Sequence, residues 1–186
     1  MNGHLRAPFA SAFRPPRDYP RGMSKHALRK VDDRFLQEAP LVIVASVDLP
    51  ATRDEVWEIM GGDRMWSWLP AIDQLRWITP EPRATGCLRK LRIARFLEVE
   101  EEFYRWEPNQ RATFRVIWQS HGVVSALIED FVLSDCALGT RLTWTMAFEP
   151  RRGKRLPLGL LAPLLRPGNR AALAGFAKMF SSRSRV

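Results

Sequence analysis

The chain has 186 residues, a length typical of one domain with a substantial core, and carries a formal net charge of +9. The charge is uneven: residues 1–39 hold 8 Lys and Arg against 4 Asp and Glu, residues 40–149 hold 12 against 16, and residues 150–186 hold 9 against none. Because the central region is acidic and contains no recognition motif, the composition argues against a nucleic-acid-binding protein.

The cysteine and histidine content argues against metal and disulfide-rich classes. Cys87 and Cys136 have neither a CxxC motif nor a disulfide-type spacing, which suits free thiols in the cytoplasm. The three histidines are too scattered for a zinc site, so we expect no metal and no cofactor. The apolar run LPLGLLAPLL (156–165) is about half a membrane span and contains prolines, which predicts a soluble protein.

The two ends of the chain differ from its middle. Residues 1–39 are rich in Arg and Pro, which predicts a basic and mostly disordered tail, with a short helix within 25–37 as an alternative. Met23 is an alternative start. A single domain is expected over residues 40–182, followed by a short C-terminal tail over 183–186.

The domain opens with a predicted strand and two short helical segments. The β-branched run at 41–49 favours a strand. Thr52 and Glu55 have the spacing of a capping box and predict a helix over 53–60. A second short helix or turn is expected over 65–72.

Strand-like segments separated by turn signals fill the middle of the chain, which favours an antiparallel meander. The six predicted strands are 74–79, 87–93, 97–106, 111–119, 125–133 and 140–148. Apolar residues at helical spacing then predict a C-terminal helix over about 167–182. The preceding run at 157–165 is expected to form a separate, proline-bent helix.

Four carboxylates crowd into the segment FLEVEEEFYRW (96–106). Side chains alternate between the two faces of a strand, so pairing this segment with 87–93 directs Glu101 inward, opposite Arg89. The same register sends Glu98, Glu100 and Glu102 outward, opposite Arg92, Lys90 and Arg115. Only Glu101 is therefore expected to reach the interior.

Extending this register through the next hairpins directs Asp130 inward without a charged neighbour. A buried carboxyl of this kind should have a raised pKa, which marks a functional candidate. The alternative is that Asp130 lies at a wet rim and that Arg89 and Glu101 form a purely structural pair.

The order of these elements resembles the helix-grip fold of the SRPBCC superfamily, which includes START and Bet v 1-like domains and the bacterial polyketide cyclase/dehydrase group. The segments that carry the resemblance are VIVASVDLPATRDEVWEIM (42–60), WSWLPAI (66–72), the turn at Gly86, FYRWEPNQRATF (103–114) and GTRLTWTMAFEP (139–150). The resemblance implies an α+β fold in which a curved seven-stranded antiparallel sheet wraps a long C-terminal helix, with two short helices after the first strand and an internal cavity.

Members of this superfamily bind lipids, sterols or polyketides, so the resemblance implies a hydrophobic ligand. The inward face of the predicted sheet, with one helix residue, supplies the candidate ligand-binding residues: Arg89, Leu91, Val99, Phe103, Phe114, Val116, Trp118, Ile128, Trp144, Met146, Phe148 and Phe176. An aromatic stripe of this kind fits a filled core equally well. Trp57, Trp66 and Trp68 are expected to pack within the helical layer.

Three functions remain open at this point. The first hypothesis is the binding of a small hydrophobic molecule such as a lipid, a polyketide or an aromatic compound. The second is a polyketide cyclase/dehydratase-type enzyme with Asp130 or Glu101 as general acid or base. The third is a transient contact of the basic segment 151–170 with an anionic membrane. The sequence leaves the oligomeric state open.

Overall fold

The computed structural model describes residues 26–151 and 158–181, with side chains for 26–151 and 165–180. Predictions for residues 1–25, 152–157 and 182–186 lie outside the described residues. In chain order the elements are β1 (His26–Ala27), α1 (Phe35–Glu38), β2 (Leu41–Leu49), α2 (Arg53–Gly61), β3 (Ile72–Trp77), β4 (Leu88–Ile93), β5 (Leu97–Glu107), β6 (Arg111–Gln119), β7 (Val124–Cys136), β8 (Gly139–Pro150) and α3 (Leu158–Ser181).

The predicted helix-grip architecture is confirmed. Seven strands form a curved antiparallel sheet in the order β2-β8-β7-β6-β5-β4-β3. Strands β3 to β8 are a meander, and β2 pairs with β8 at the edge of the sheet. Helix α3 lies in the concavity, where Leu173, Phe176 and Phe180 join Phe103 and Phe114 of the sheet in one core. The sheet and helix thus bury each other's apolar faces.

The helical elements differ from the predictions in two places. The capping box is present, because Thr52 Oγ1 accepts a hydrogen bond from the Glu55 amide at 3.3 Å and the Glu55 carboxylate accepts one from the Thr52 amide at 2.8 Å. The segment expected as a second short helix or turn is a run of turns, without a helix, that contains Trp66 at a left-handed φ of 66°. Helix α3 begins at Leu158, so the apolar run before Pro167 is part of it.

The N-terminal strap, residues 26–39, corrects the prediction of a disordered tail for this part of the chain. Val31 and Phe35 are buried against Ile128 and Ala147 on the convex face of the sheet. The Asp33 carboxylate accepts a hydrogen bond from the Tyr104 hydroxyl at 2.8 Å. The apolar residues of the strap show no clear periodicity in sequence, but the convex face of the sheet gives them a surface to cover.

The strap also completes the sheet where two strands separate. Strand β6 pairs with β7 only over Arg111–Arg115, and the end of β6 pairs with β1 instead. Leu28 donates its amide to the Ile117 carbonyl at 3.1 Å, and Arg29 donates its amide to the Ser125 carbonyl at 2.9 Å. The strap therefore bridges the gap between the two strands.

The predicted register is confirmed for the β4–β5 hairpin and for the β5–β6 pairs near Phe103, but it fails beyond them. Arg89 faces Glu101 and Phe103 faces Phe114, as expected. A bulge at Ile117 then shifts the pairing, so Val99 lies opposite Gln119 rather than Trp118. Trp118 consequently points outward, where the Lys90 ammonium lies 5.7 Å from its ring centroid.

Strand β7 is inverted relative to the prediction. Arg115 pairs with Ile128, not with Glu129, and a shift of one residue exchanges the two faces of a strand. Ile128 and Asp130 therefore lie on the convex face, whereas Glu129 and Phe131 lie on the concave face. The convex position of Ile128 is buried all the same, because the strap covers it.

The outward glutamates also differ in detail from the prediction. Glu102 pairs with Arg115 at 3.0 Å, as the register predicts, but Lys90 contacts Glu98 at 2.6 Å across the diagonal. Glu100 is on the outer face yet only 2% exposed. Position on the convex face is thus no guarantee of exposure in this protein.

We predict that Phe35→Ala lowers the free energy of unfolding by about 2–4 kcal/mol, because it removes a buried ring from the contact between strap and sheet. Phe96→Ala is the matched control, since that ring is 59% exposed and its loss should cost about 0.5 kcal/mol. Urea denaturation of both variants measures the difference. Equal effects would show that the strap contributes no folding energy.

Candidate functional site

A cavity of about 410 Å³ lies between the concave face of the sheet and helix α3. The described residues that line it are predominantly apolar: Trp66, Leu69, Ala71, Ile72, Leu91, Ile93, Leu97, Val99, Glu101, Val116, Gln119, Val123, Val124, Leu127, Glu129, Trp144, Met146 and Leu165. Its volume falls within the usual range for small-molecule sites.

The cavity contains about half of the predicted ligand-binding residues. Those that line it are Leu91, Val99, Val116, Trp144 and Met146, together with the catalytic candidate Glu101. Phe103, Phe114 and Phe176 are buried in the core below it, and Phe148 packs with Leu41 and Ile43. Their rings fill the concavity rather than line the cavity.

Arg89 and Glu101 form a buried ion pair at the edge of the cavity. The Arg89 Nε donates a hydrogen bond to Glu101 Oε2 at 2.6 Å, and the two side chains are 1% and 4% exposed. The Arg89 guanidinium also lies 4.8 Å from the Phe103 ring centroid and 5.1 Å from that of Phe114. Burial raises the pKa of Glu101, and the Arg89 charge opposes this rise. The predicted pairing of these two residues is thereby confirmed.

Glu129 is the site residue that the sequence prediction missed. Its carboxylate accepts a hydrogen bond from the Trp144 Nε1–H at 2.9 Å, and it lines the cavity while only 8% exposed. Burial raises the pKa of Glu129 to about 8, and the nearby Glu101 charge adds to this rise. Alternation along β7 places Glu129 on one face with Leu127 and Phe131, but it does not say which face is inward, because Ile128 on the other face is buried as well.

Asp130 is not part of the cavity, which corrects the prediction that it is an inward catalytic carboxyl. The register places it on the convex face, where Arg111 Nε donates to its Oδ1 at 2.8 Å and Thr113 Oγ1 donates to the same atom at 2.7 Å. The expected lack of a charged partner is therefore also wrong. Asp130 is a structural residue of the outer sheet face.

Tryptophan rings form one wall of the cavity. The ring centroids of Trp66 and Trp144 are 5.1 Å apart, and Trp66 also packs at 5.9 Å from Phe131. Trp68 donates its Nε1–H to the Ala172 carbonyl at 2.9 Å and so attaches the turn segment to α3. Trp57 and Trp68 pack as expected, whereas Trp66 reaches the cavity.

The predicted membrane contact of segment 151–170 is not tested, because the side chains of residues 152–164 lie outside the described part of the chain. Within the described residues, none of the helices has the length and apolar character needed to span a bilayer. The cytoplasmic location stays a prediction.

Known proteins resemble this chain in sequence and in fold. The uncharacterized protein Rv2574 from Mycobacterium tuberculosis is 31% identical over 150 residues, which cover 80% of this chain and 90% of Rv2574. XoxI from Bacillus cereus has a TM-score of 0.63 at 15% identity, covering 78% of this chain and 99% of XoxI.

DynU16, a protein in the dynemicin biosynthetic locus, has a TM-score of 0.55 at 22% identity and covers 74% of this chain. The present chain spans only 46% of the length of DynU16. At these identities the two solved structures show a shared fold and nothing more.

A family model covers the whole domain. The model described as "Polyketide cyclase / dehydrase and lipid transport" matches residues 40–181, which include every strand from β2 to β8 and the helices α2 and α3. Only the N-terminal strap, among the described residues, lies outside the match. The chain therefore belongs to the polyketide cyclase / dehydrase and lipid transport family.

Proposed function

We propose that this protein binds a small hydrophobic molecule, such as a lipid, a polyketide or an aromatic compound, inside the cavity between the sheet and α3. The observation that carries the proposal is a 410 Å³ space with apolar walls and two buried carboxyl groups. Apolar walls supply affinity through the hydrophobic effect, and a few polar groups orient the ligand. Family membership supports the same function.

An acid–base role in a cyclisation or dehydration is the second candidate, and Glu129 is the residue that favours it. A general acid works best when its pKa is near the working pH, and burial raises the pKa of Glu129 to about 8. Glu101 is less suited, because its carboxylate is already held by Arg89 at 2.6 Å.

We predict that Leu127→Trp blocks the cavity and weakens the binding of the neutral fluorescent probe N-phenyl-1-naphthylamine by at least about tenfold, or 1.4 kcal/mol. Leu127 lines the cavity and is only half-buried, so a larger side chain can occupy the space without disrupting the core. Fluorescence titration of wild type and variant measures the affinities.

Leu138→Trp is the matched control, because Leu138 is 56% exposed in the β7–β8 turn, away from the cavity. It should bind the probe as wild type does. If wild type fails to bind the probe, or if both variants bind it equally well, the cavity is not a binding site.

We also predict a pH-dependent effect of Glu129→Gln on stability. The folded wild type holds the Glu129 proton up to a pKa of about 8, whereas the unfolded chain releases it near 4.5. Wild-type stability therefore falls as pH rises through this window, by at most about 1.4 kcal/mol per pH unit, and the glutamine does not titrate.

The stability of Glu129→Gln relative to wild type should accordingly increase between pH 5 and pH 8. Urea denaturation at four pH values measures this difference. A difference that does not change with pH would mean that Glu129 titrates as an ordinary carboxyl, and the acid–base role would lose its support.

A further inference from the structure

The cavity is acidic on its polar side. Among the described residues that line it, the polar side chains other than tryptophan are Glu101, Gln119 and Glu129, and none is a lysine, arginine or histidine. Arg89 stands behind Glu101 rather than in the lining. Any charged ligand group would therefore meet carboxyl groups first.

Two of these three side chains already have their partners. Gln119 donates from Nε2 to the Val124 carbonyl at 2.6 Å and accepts at Oε1 from the Val123 amide at 3.3 Å. Glu101 accepts from the Arg89 guanidinium at 2.6 Å. The Gln119 amide therefore needs no ligand to complete its hydrogen bonding, and the Glu101 carboxylate already has a charged partner.

Glu129 is different because its partner is an uncharged indole N–H rather than a guanidinium. Trp144 Nε1–H donates to Oε2, and in the described part of the chain no donor reaches Oε1. An indole N–H only donates, so Oε2 accepts, and because the carbonyl oxygen of a carboxylic acid is the better acceptor this contact favours a proton on Oε1. Glu129 thereby presents an O–H donor at an apolar cavity.

We infer that the cavity selects its ligand by charge: it takes an uncharged apolar molecule whose polar end is a hydrogen-bond acceptor, such as a ketone oxygen, and rejects a carboxylate of the same shape. This inference rests on the proposed function and specifies its ligand class. The acceptor oxygen would receive the hydrogen bond from Glu129 Oε1.

A carboxylate ligand is disfavoured for two reasons. It would lose its hydration inside an apolar cavity and would find no basic side chain in the described lining to pair with. It would also lie near Glu101, whose charge is neutralised by Arg89 only as long as that ion pair is kept. A ligand ammonium would in turn have to be desolvated and to displace the Glu129 proton.

Three naphthalene probes of matched size test the inference on the full chain: 2-acetonaphthone, 2-naphthoate and 2-naphthylmethylamine. Isothermal titration calorimetry at pH 7 gives the three dissociation constants. We expect the ketone to bind at least about tenfold more tightly than the carboxylate, which corresponds to one hydrogen bond gained or one buried charge left unpaired. The amine should also bind more weakly than the ketone.

Variants at Glu129 test the hydrogen bond itself. Glu129→Leu should weaken ketone binding about tenfold, whereas Glu129→Gln keeps an N–H donor and should bind nearly as wild type. Glu102→Gln is the matched control, because that carboxylate lies on the convex face beside Arg115 and should leave ketone affinity unchanged. Thermal unfolding confirms that each variant is folded.

The outcomes separate this inference from the proposed function. Naphthoate or the amine binding as tightly as the ketone, or Glu129→Leu binding the ketone as wild type does, overturns the charge selection while leaving a binding cavity. If none of the naphthalene probes and no N-phenyl-1-naphthylamine binds wild type, the proposed function fails and this inference fails with it. The comparison of the three naphthalene probes uses wild type alone, so it is valid even if a Glu129 variant does not fold.

Discussion

The concave face of the sheet must bury the ion pair of Arg89 and Glu101, and it does so with one direct contact and aromatic rings, while Arg89 Nη2 has no hydrogen-bond partner among the described residues. Two charges removed from water are costly unless their geometry is good, and here the contact is 2.6 Å with aromatic rings against the guanidinium. Removing one partner would leave a buried charge unpaired, which typically costs about 3–5 kcal/mol. The pair therefore fixes the boundary between the filled aromatic core and the cavity, and it determines the electrostatic surroundings of Glu129.

The concavity is divided into a solid part and a hollow part. Large rings from both the sheet and α3, such as Phe114 and Phe176, fill the solid part and are almost inaccessible to solvent. The hollow part has smaller aliphatic side chains, with the mutually tilted rings of Trp66 and Trp144 as one wall. This division lets one domain combine a well-packed core, which provides stability, with an internal space that a ligand can occupy.

The N-terminal strap contacts both the convex face of the sheet and a strand end that lines the cavity. It covers Ile128 on the convex side and pairs with the end of β6, next to positions where Val116 and Gln119 line the cavity. Because the family match begins at residue 40, this closure of the sheet is supplied by a segment outside the matched domain. The gap between β6 and β7 would otherwise expose unpaired backbone groups, which are costly when they are not solvated.

The sequence alone determined the order of the strands from β2 to β8, the capping box at Thr52 and the inward pairing of Arg89 with Glu101, because local alternation and short turns fix these features. It did not determine which face of β7 is inward. A strand covered on both sides, by α3 and the core within and by the strap outside, has apolar residues on both faces, so alternation gives no direction. A one-residue shift in the pairing of β6 with β7 exchanged Asp130 for Glu129. Only the tertiary structure, through the packing of the strap and the register it permits, decided which carboxyl reaches the cavity.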